Sequence, residues 1–233
     1  VAIKPQLACF ERLGAPGWEA LQRTVEAAHE GGLLVIADGK RGDVPVSAAA
    51  YAQGLIGSTP SPWGDIPGLG ADAATINPLL GGDAIEPLIE GAVAAGAGLF
   101  ALVRTSNPGA ADLFDVPAPD APLHERIAGL VADQMERLRG ASGLSGLGAV
   151  VGATEPRHLV RIRELMPESI FLLPGVGAQG GSADELGDAF AGHRAAAIVT
   201  ASRSIAGADD PGRAAATLRE QVWEVACRAR SDG

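Results

Sequence analysis

The densest group of reactive side chains is Asp38-Gly39-Lys40-Arg41-Gly42-Asp43, which follows directly on the apolar run Leu33–Ala37. If that run is a strand, alternation turns Asp38 and Lys40 to the same side. A second cation, Lys4, closes another short apolar run, Val1–Ile3. Two carboxylates and two ammonium groups gathered at one mouth can alternate in sign, each Lys held charged by acidic neighbours. A proton donor to a developing carbanion requires such a setting. An isolated Asp-x-Lys could equally be an ion pair at a strand end. Lys4, and Asp43 five residues beyond Asp38, weaken that simpler reading.

Two later segments point to phosphate. Pro174-Gly175-Val176-Gly177-Ala178-Gln179-Gly180-Gly181 follows the apolar run Ile170–Leu173, and glycines let main-chain N–H groups approach an anion closely. Its GVGAQG core imitates a dinucleotide fingerprint but stands late in the chain, and its helix begins only after Ser182, so a nicotinamide site is disfavoured. Ser202-Arg203-Ser204-Ile205 follows the last apolar run. Arg203 can grip a phosphate with two parallel hydrogen bonds. Alone it could be a surface arginine; beside the glycine loop, phosphate is the better reading.

The elements that must position these groups alternate. Strand candidates are Val1–Ile3, Leu33–Ala37, Ala73–Ile76, Gly98–Val103, Leu147–Val151, Ile170–Leu173 and Ala195–Val199. They are short, continuous and partly β-branched, as suits strands covered on both faces. Between them lie segments of helical period, with Trp18, Leu21 and Val25 on one face, Ile127, Leu130, Val131 and Leu138 on another, and Leu218, Val222 and Val225 on a third. The pattern predicts an α/β fold with a parallel sheet and helical crossovers. Polar residues recur at many strand ends, at Lys4, Asp38, Lys40, Asn77, Ser106, Gln179 and Arg203. An open sheet concentrates its ligands at one switch point, whereas a barrel collects them from several strand ends. The expectation is therefore a (β/α)8 TIM barrel occupying residues 1–233 as one domain, with the first strand lying outside this sequence. Ser106–Pro122 and Ser58–Gly70 read as surface linkers, the former alternatively as a lid.

Bulk properties narrow the partners. The 233 residues carry a formal charge of −10 and a pI near 4.8, which opposes binding to nucleic acid or an anionic membrane surface. No apolar run approaches the ~20 residues that span a bilayer. Cys9 and Cys227 stand far apart with no metal-ligand spacing, which fits a reducing cytoplasm. The four histidines, His29, His124, His158 and His193, form no HxH or HExxH pattern and are expected to be neither catalytic nor ligands.

Taken together, Val-Ala-Ile-Lys-Pro-Gln at 1–6, DGKRGD at 38–43, TSNPG at 105–109, PGVGAQGG at 174–181 and SRSI at 202–205 resemble the orotidine 5′-phosphate decarboxylases, in particular their bacterial subgroup with DAKRGD-type and TSNPG-type signatures. The resemblance covers essentially the whole chain in the right order. It implies a lyase of pyrimidine biosynthesis that decarboxylates orotidine 5′-monophosphate to UMP with neither metal nor organic cofactor. Lys40 would protonate C6, Asp38 would lie near the departing carboxylate, and Lys4 would contact the ribose and orient Asp38. Asp43, with Val44 and Ser47, would come from the partner subunit, making a homodimer with composite active sites. Ser106 would contact the pyrimidine, Pro174 would line the base pocket, and Gln179 and Arg203 would bind the phosphate. One feature departs from the family: its GxDP-like segment, whose Asp binds ribose, does not precede Lys4. Two alternatives are a sugar-phosphate decarboxylase or aldolase of the same superfamily, which uses Mg2+ and places an acid near where Lys4 stands, and a catalytically inactive nucleotide-binding barrel.

Overall fold

The structure, a computed structural model, describes residues 1–117, 119–177 and 179–229. Ala118 of the Pro-rich segment and Ala178 of the glycine-rich motif lie outside the described residues. Contacts divide the chain into two compact units, Val1–Leu102 and Val103–Gly233.

The first unit runs β1 (Ala2–Ile3), α1 (Leu7–Glu11), α2 (Ala15–Glu30), β2 (Leu34–Arg41), α3 (Pro45–Leu55), β3 (Ser58–Thr59), β4 (Ile66–Pro67), β5 (Ala73–Ile76), α4 (Gly82–Ala95) and most of β6 (Gly98–Arg104). Strands β1, β2, β5 and β6 are parallel neighbours in that order, with Ala2 opposite Leu34, Ile36 opposite Ala73 and Ala73 opposite Gly98. All four residues of β5 are buried, as a strand covered on both faces must be. Helix α2 starts on Pro16 in its first turn and buries Leu21, Val25 and Ala28. Trp18, expected on that face, is 43% exposed and sits at its margin.

The second unit carries the end of β6, then α5 (Ala111–Phe114), α6 (Leu123–Ala132), β7 (Ser145–Val151), α7 (Arg157–Leu165), β8 (Ser169–Pro174), β9 (Ala197–Thr200), α8 (Arg203–Ala206) and α9 (Pro211–Arg228). β7, β8 and β9 are parallel neighbours, with Ala149 opposite Phe171 and Phe171 opposite Ala197. Buried Arg163 of α7 ties this unit together. Its guanidinium donates to the carbonyls of Met166, Ser169, Ala189 and Ala196 at 2.7–3.0 Å and lies 3.7 Å from the Phe171 ring centroid. Burial pulls its pKa down to about 10.

All seven expected strands form, with ends shifted by a few residues. Three expectations fail locally. Ser106–Pro122 is not wholly a surface linker, because it holds α5 and buries Ala110 and Phe114. Ser58–Gly70 is no plain linker: β3 and β4 pair antiparallel, Ser58 opposite Pro67, in a small hairpin. Leu138 does not continue the helix of Ile127, because α6 stops at Ala132 and Leu138 falls in a separate 3-10 turn, Met135–Leu138. Among the described residues, no helix is long and apolar enough to cross a membrane.

Candidate active site

In the first unit the structure gathers Lys4, Asp38 and Lys40 around one carboxylate. Asp38 is 4% exposed. Its Oδ1 accepts from Lys40 Nζ at 2.6 Å and from Thr75 Oγ1 at 2.9 Å, while Oδ2 pairs with Lys4 Nζ. Gln6 Nε2 adds a longer contact of 3.4 Å to Oδ2. Burial pushes the Asp38 carboxyl up, but the charge and hydrogen bonds of Lys4 and Lys40 more than offset this and hold it below its ordinary value of 3.8. An ionised, buried carboxylate thus carries two ammonium groups, which leaves one net positive charge at this strand end. The Lys40 side chain is 41% exposed and that of Asp38 only 5%, so the open member of the cluster is a cation.

The backbone that presents Lys40 is unusual. β2 continues through Arg41, but its register with β5 shifts between Ala37 and Arg41. At this irregularity Lys40 adopts φ +49°, the single non-glycine residue with positive φ among those described. For an L-residue that region costs roughly 1–2 kcal/mol, and such strain persists only where the surroundings impose it. Here Thr75 Oγ1 accepts the Lys40 N–H at 2.9 Å while donating to Asp38. Gly42 is required by close approach: a Cβ there would lie 2.3 Å from the Asn77 carbonyl oxygen. Arg41 turns away and pairs with Glu11.

Asp43 stands apart. Its carboxylate accepts the N–H of Val44 at 2.7 Å, and among the described residues no ion pair joins it to Lys4 or Lys40. It precedes α3, whose start carries exposed Val44 and Val46 and, at its third position, the partly exposed Ser47.

The second unit holds the remaining expected residues. Ser106 follows β6, and its Oγ donates to Gln179 Oε1 at 2.9 Å. Pro174 ends β8, half-buried, and its carbonyl accepts the Ala153 N–H at 2.8 Å. The glycine-rich segment then closes on itself, with Gly177 N–H to Gly181 O at 2.9 Å and Gly181 N–H to Gly175 O at 3.0 Å. It lies against the start of α8: a Cβ on Gly177 would be 3.3 Å from Ser204 Oγ. Arg203 opens α8 and is exposed. The glycine loop and the SRSI segment are thus side by side, with Gln179 on one and Arg203 on the other, as an anion site needs.

Sequence reading missed Thr75, Gln6 and a cluster around Arg104. Thr75 is legible in retrospect as the one polar residue of an otherwise apolar strand, and it is 1% exposed.

Comparison with known proteins places the chain in a family. The family model described as "Orotidine 5'-phosphate decarboxylase / HUMPS family" matches residues 1–218. The chain belongs to the orotidine 5′-phosphate decarboxylase family. Among curated relatives, the orotidine 5′-phosphate decarboxylase of Rhodopirellula baltica is 42% identical over 230 residues, spanning 97% of this chain and 74% of the relative. That of Deinococcus radiodurans is 43% identical, spanning 87% and 70%. The solved structure of Leishmania donovani OMP decarboxylase matches with a TM-score of 0.78 at 33% identity, covering 97% of this chain and 81% of that one. The Plasmodium berghei enzyme matches with a TM-score of 0.81 at only 16% identity, which speaks for the fold alone. The fold class is the expected one, an α/β barrel of TIM type.

Proposed function

We propose that this chain decarboxylates orotidine 5′-monophosphate to UMP, with Lys40 delivering the proton to C6. One observation carries the mechanistic part: Lys40 Nζ lies 2.6 Å from the buried Asp38 carboxylate while its side chain remains open. Loss of CO2 leaves an electron pair at C6, and a fixed ammonium stabilises that charge without reorganising when it forms. Asp38, held ionised, keeps Lys40 oriented and lies near the departing carboxylate. Lys4 fixes the second oxygen of Asp38 and contacts the ribose. The arrangement supplies both charge and proton from side chains, so the reading includes no metal and no organic cofactor.

In the second unit Gln179 and Arg203 take the phosphate, Ser106 the pyrimidine, and Pro174 one wall of the base pocket. The phosphate lies away from the reacting carbon, so its binding energy can be expressed in the transition state by ordering the loops that hold it. The composite-site reading assigns Asp43 and Ser47, with Val44, to the partner's site in a symmetric homodimer. The exposure of Val44 and Val46, and the absence of an ion pair from Asp43 to Lys40 within the described chain, support it. The chain then acts as a single barrel domain in the cytoplasm, without binding nucleic acid or membrane. Replacing Lys40 tests the mechanism, and a spectrophotometric assay of orotidylate loss tests the activity.

A further inference from the structure

We infer that Arg104 and Asp115 are positioning residues, a buried clamp that closes the base of the Thr105–Asp115 loop and thereby holds Ser106 for its substrate contact. The inference rests on the assignment of Ser106 to the pyrimidine made above. Arg104 ends β6 and is 4% exposed. Its Nε donates to Asp115 Oδ1 and its Nη2 to Asp115 Oδ2, both at 3.0 Å, while Nη1 donates to the Thr105 carbonyl at 2.6 Å. All three guanidinium nitrogens therefore bind the first and last residues of the loop. A bidentate fork of this kind fixes orientation as well as charge.

Ser106 is the second residue of that loop and is fixed on three sides. Its Oγ donates to Gln179, its carbonyl accepts Thr154 Oγ1 at 3.1 Å, and its backbone presses on Gly152, where a Cβ would lie 2.6 Å from Ser106 Cα. The loop's far end is braced by two histidines. His124 Nδ1 lies 2.8 Å from the Phe114 carbonyl and 3.5 Å from Asp115 Oδ1. His158 Nε2 lies 3.9 Å from the same oxygen, and the two rings meet edge-on with centroids 4.7 Å apart.

Asp115, His124 and His158 have ligand atoms within 4.8 Å of one another, a spacing that would suit a metal ion. Arg104 decides against that use. It donates to both oxygens of Asp115 and sets a fixed positive charge beside them. His124 Nδ1 faces a carbonyl, so it carries the proton there and offers no lone pair. The groups facing His158 are His124 of α6, Asp115, Arg104 of β6 and Arg157 of its own helix. Its Nε2 is buried without a hydrogen-bond partner among the described residues. Burial first, and then His124, outweigh the opposing pull of Asp115 and hold its pKa below 6.5. Asp115 is gripped by Arg104 through two bonds of 3.0 Å, whereas His158 Nε2 stays 3.9 Å away.

The test combines amide hydrogen exchange with a double-mutant cycle. In Asp115→Asn, amides of Thr105–Phe114 should exchange at least tenfold faster while those of β7 and β8 keep wild-type rates. kcat/KM for orotidine 5′-monophosphate should fall at least tenfold in Asp115→Asn and in Ser106→Ala, and the double variant should fall no further than Ser106→Ala. Unchanged exchange, or losses that multiply in the double variant, overturn the inference. Faster exchange with wild-type kcat/KM in Ser106→Ala instead overturns the assignment of Ser106 to the substrate while upholding the clamp. Should Asp115→Asn not fold, Asp115→Glu, which keeps the charge but displaces the fork, carries the same expectations.

Discussion

Asp38→Asn isolates what the buried carboxylate contributes. The substitution keeps the shape and one acceptor oxygen for Thr75, but it leaves Lys4 and Lys40 facing each other without the anion that both now touch. A close ion pair is worth roughly 4 kcal/mol at an effective dielectric near 20, and breaking a fully buried pair costs about 3–5 kcal/mol. The Lys4 and Lys40 side chains are 21% and 41% exposed, so water screens part of this and about 2–3 kcal/mol of unfolding free energy should be lost. Catalysis should suffer more, because Lys40 loses the group that orients it: kcat should fall by about a thousandfold or more, equivalent to roughly 4 kcal/mol of barrier. Urea denaturation gives the first quantity, and the ultraviolet assay of orotidylate loss at saturating substrate gives the second. A kcat within tenfold of wild type would show that Asp38 does not organise the reacting cation.

Three further outcomes follow from the same structure. Arg203→Ala should cost about 2–3 kcal/mol in kcat/KM for orotidine 5′-monophosphate, the usual worth of a hydrogen bond to a charged group, and little for the phosphate-free nucleoside; equal losses on both would make Arg203 structural. Mixing Lys40→Ala with Asp43→Ala subunits should restore about a quarter of all sites if Asp43 serves its partner, and activity flat at the mutant baseline, with exchange confirmed by mass, would refute the composite site. For pH, the sign follows from His158. Its folded pKa is depressed, so below about 6.5 the unfolded chain takes up a proton that the folded chain refuses, and stability drops with falling pH. Asp38 and Asp115, both held below 3.8, keep their contributions until pH falls through that range. His158→Gln should flatten the first limb alone, and an unaltered profile would remove His158 as its source.

How much was legible beforehand varies with the kind of interaction. The parallel α/β pattern is local and repetitive, so short apolar runs marked the seven strands to within a few residues. The Asp38–Lys40 contact was anticipated from strand alternation, yet the structure achieves it differently, through a register shift and a left-handed Lys40 that no periodicity announces. Thr75 went unnoticed because a single hydroxyl in an apolar strand gains meaning only from its neighbour across the sheet. The Arg104–Asp115–His124–His158 cluster was invisible for the same reason: four residues from separate elements meet only after folding, and the histidines looked unremarkable in sequence. The β3–β4 hairpin hid in a stretch rich in Pro and Gly because two-residue strands carry no alternation to read.

The central claim is that Lys40 supplies the proton. Single-turnover decarboxylation of orotidine 5′-monophosphate by Lys40→Ala, alongside UMP binding by the same protein, tests it most directly. The proposed role predicts no measurable turnover with the fold and much of UMP affinity retained, because in that proposal the ammonium acts at the reacting carbon and not in holding the nucleotide. Turnover within tenfold of wild type by a folded, UMP-binding Lys40→Ala protein would contradict it.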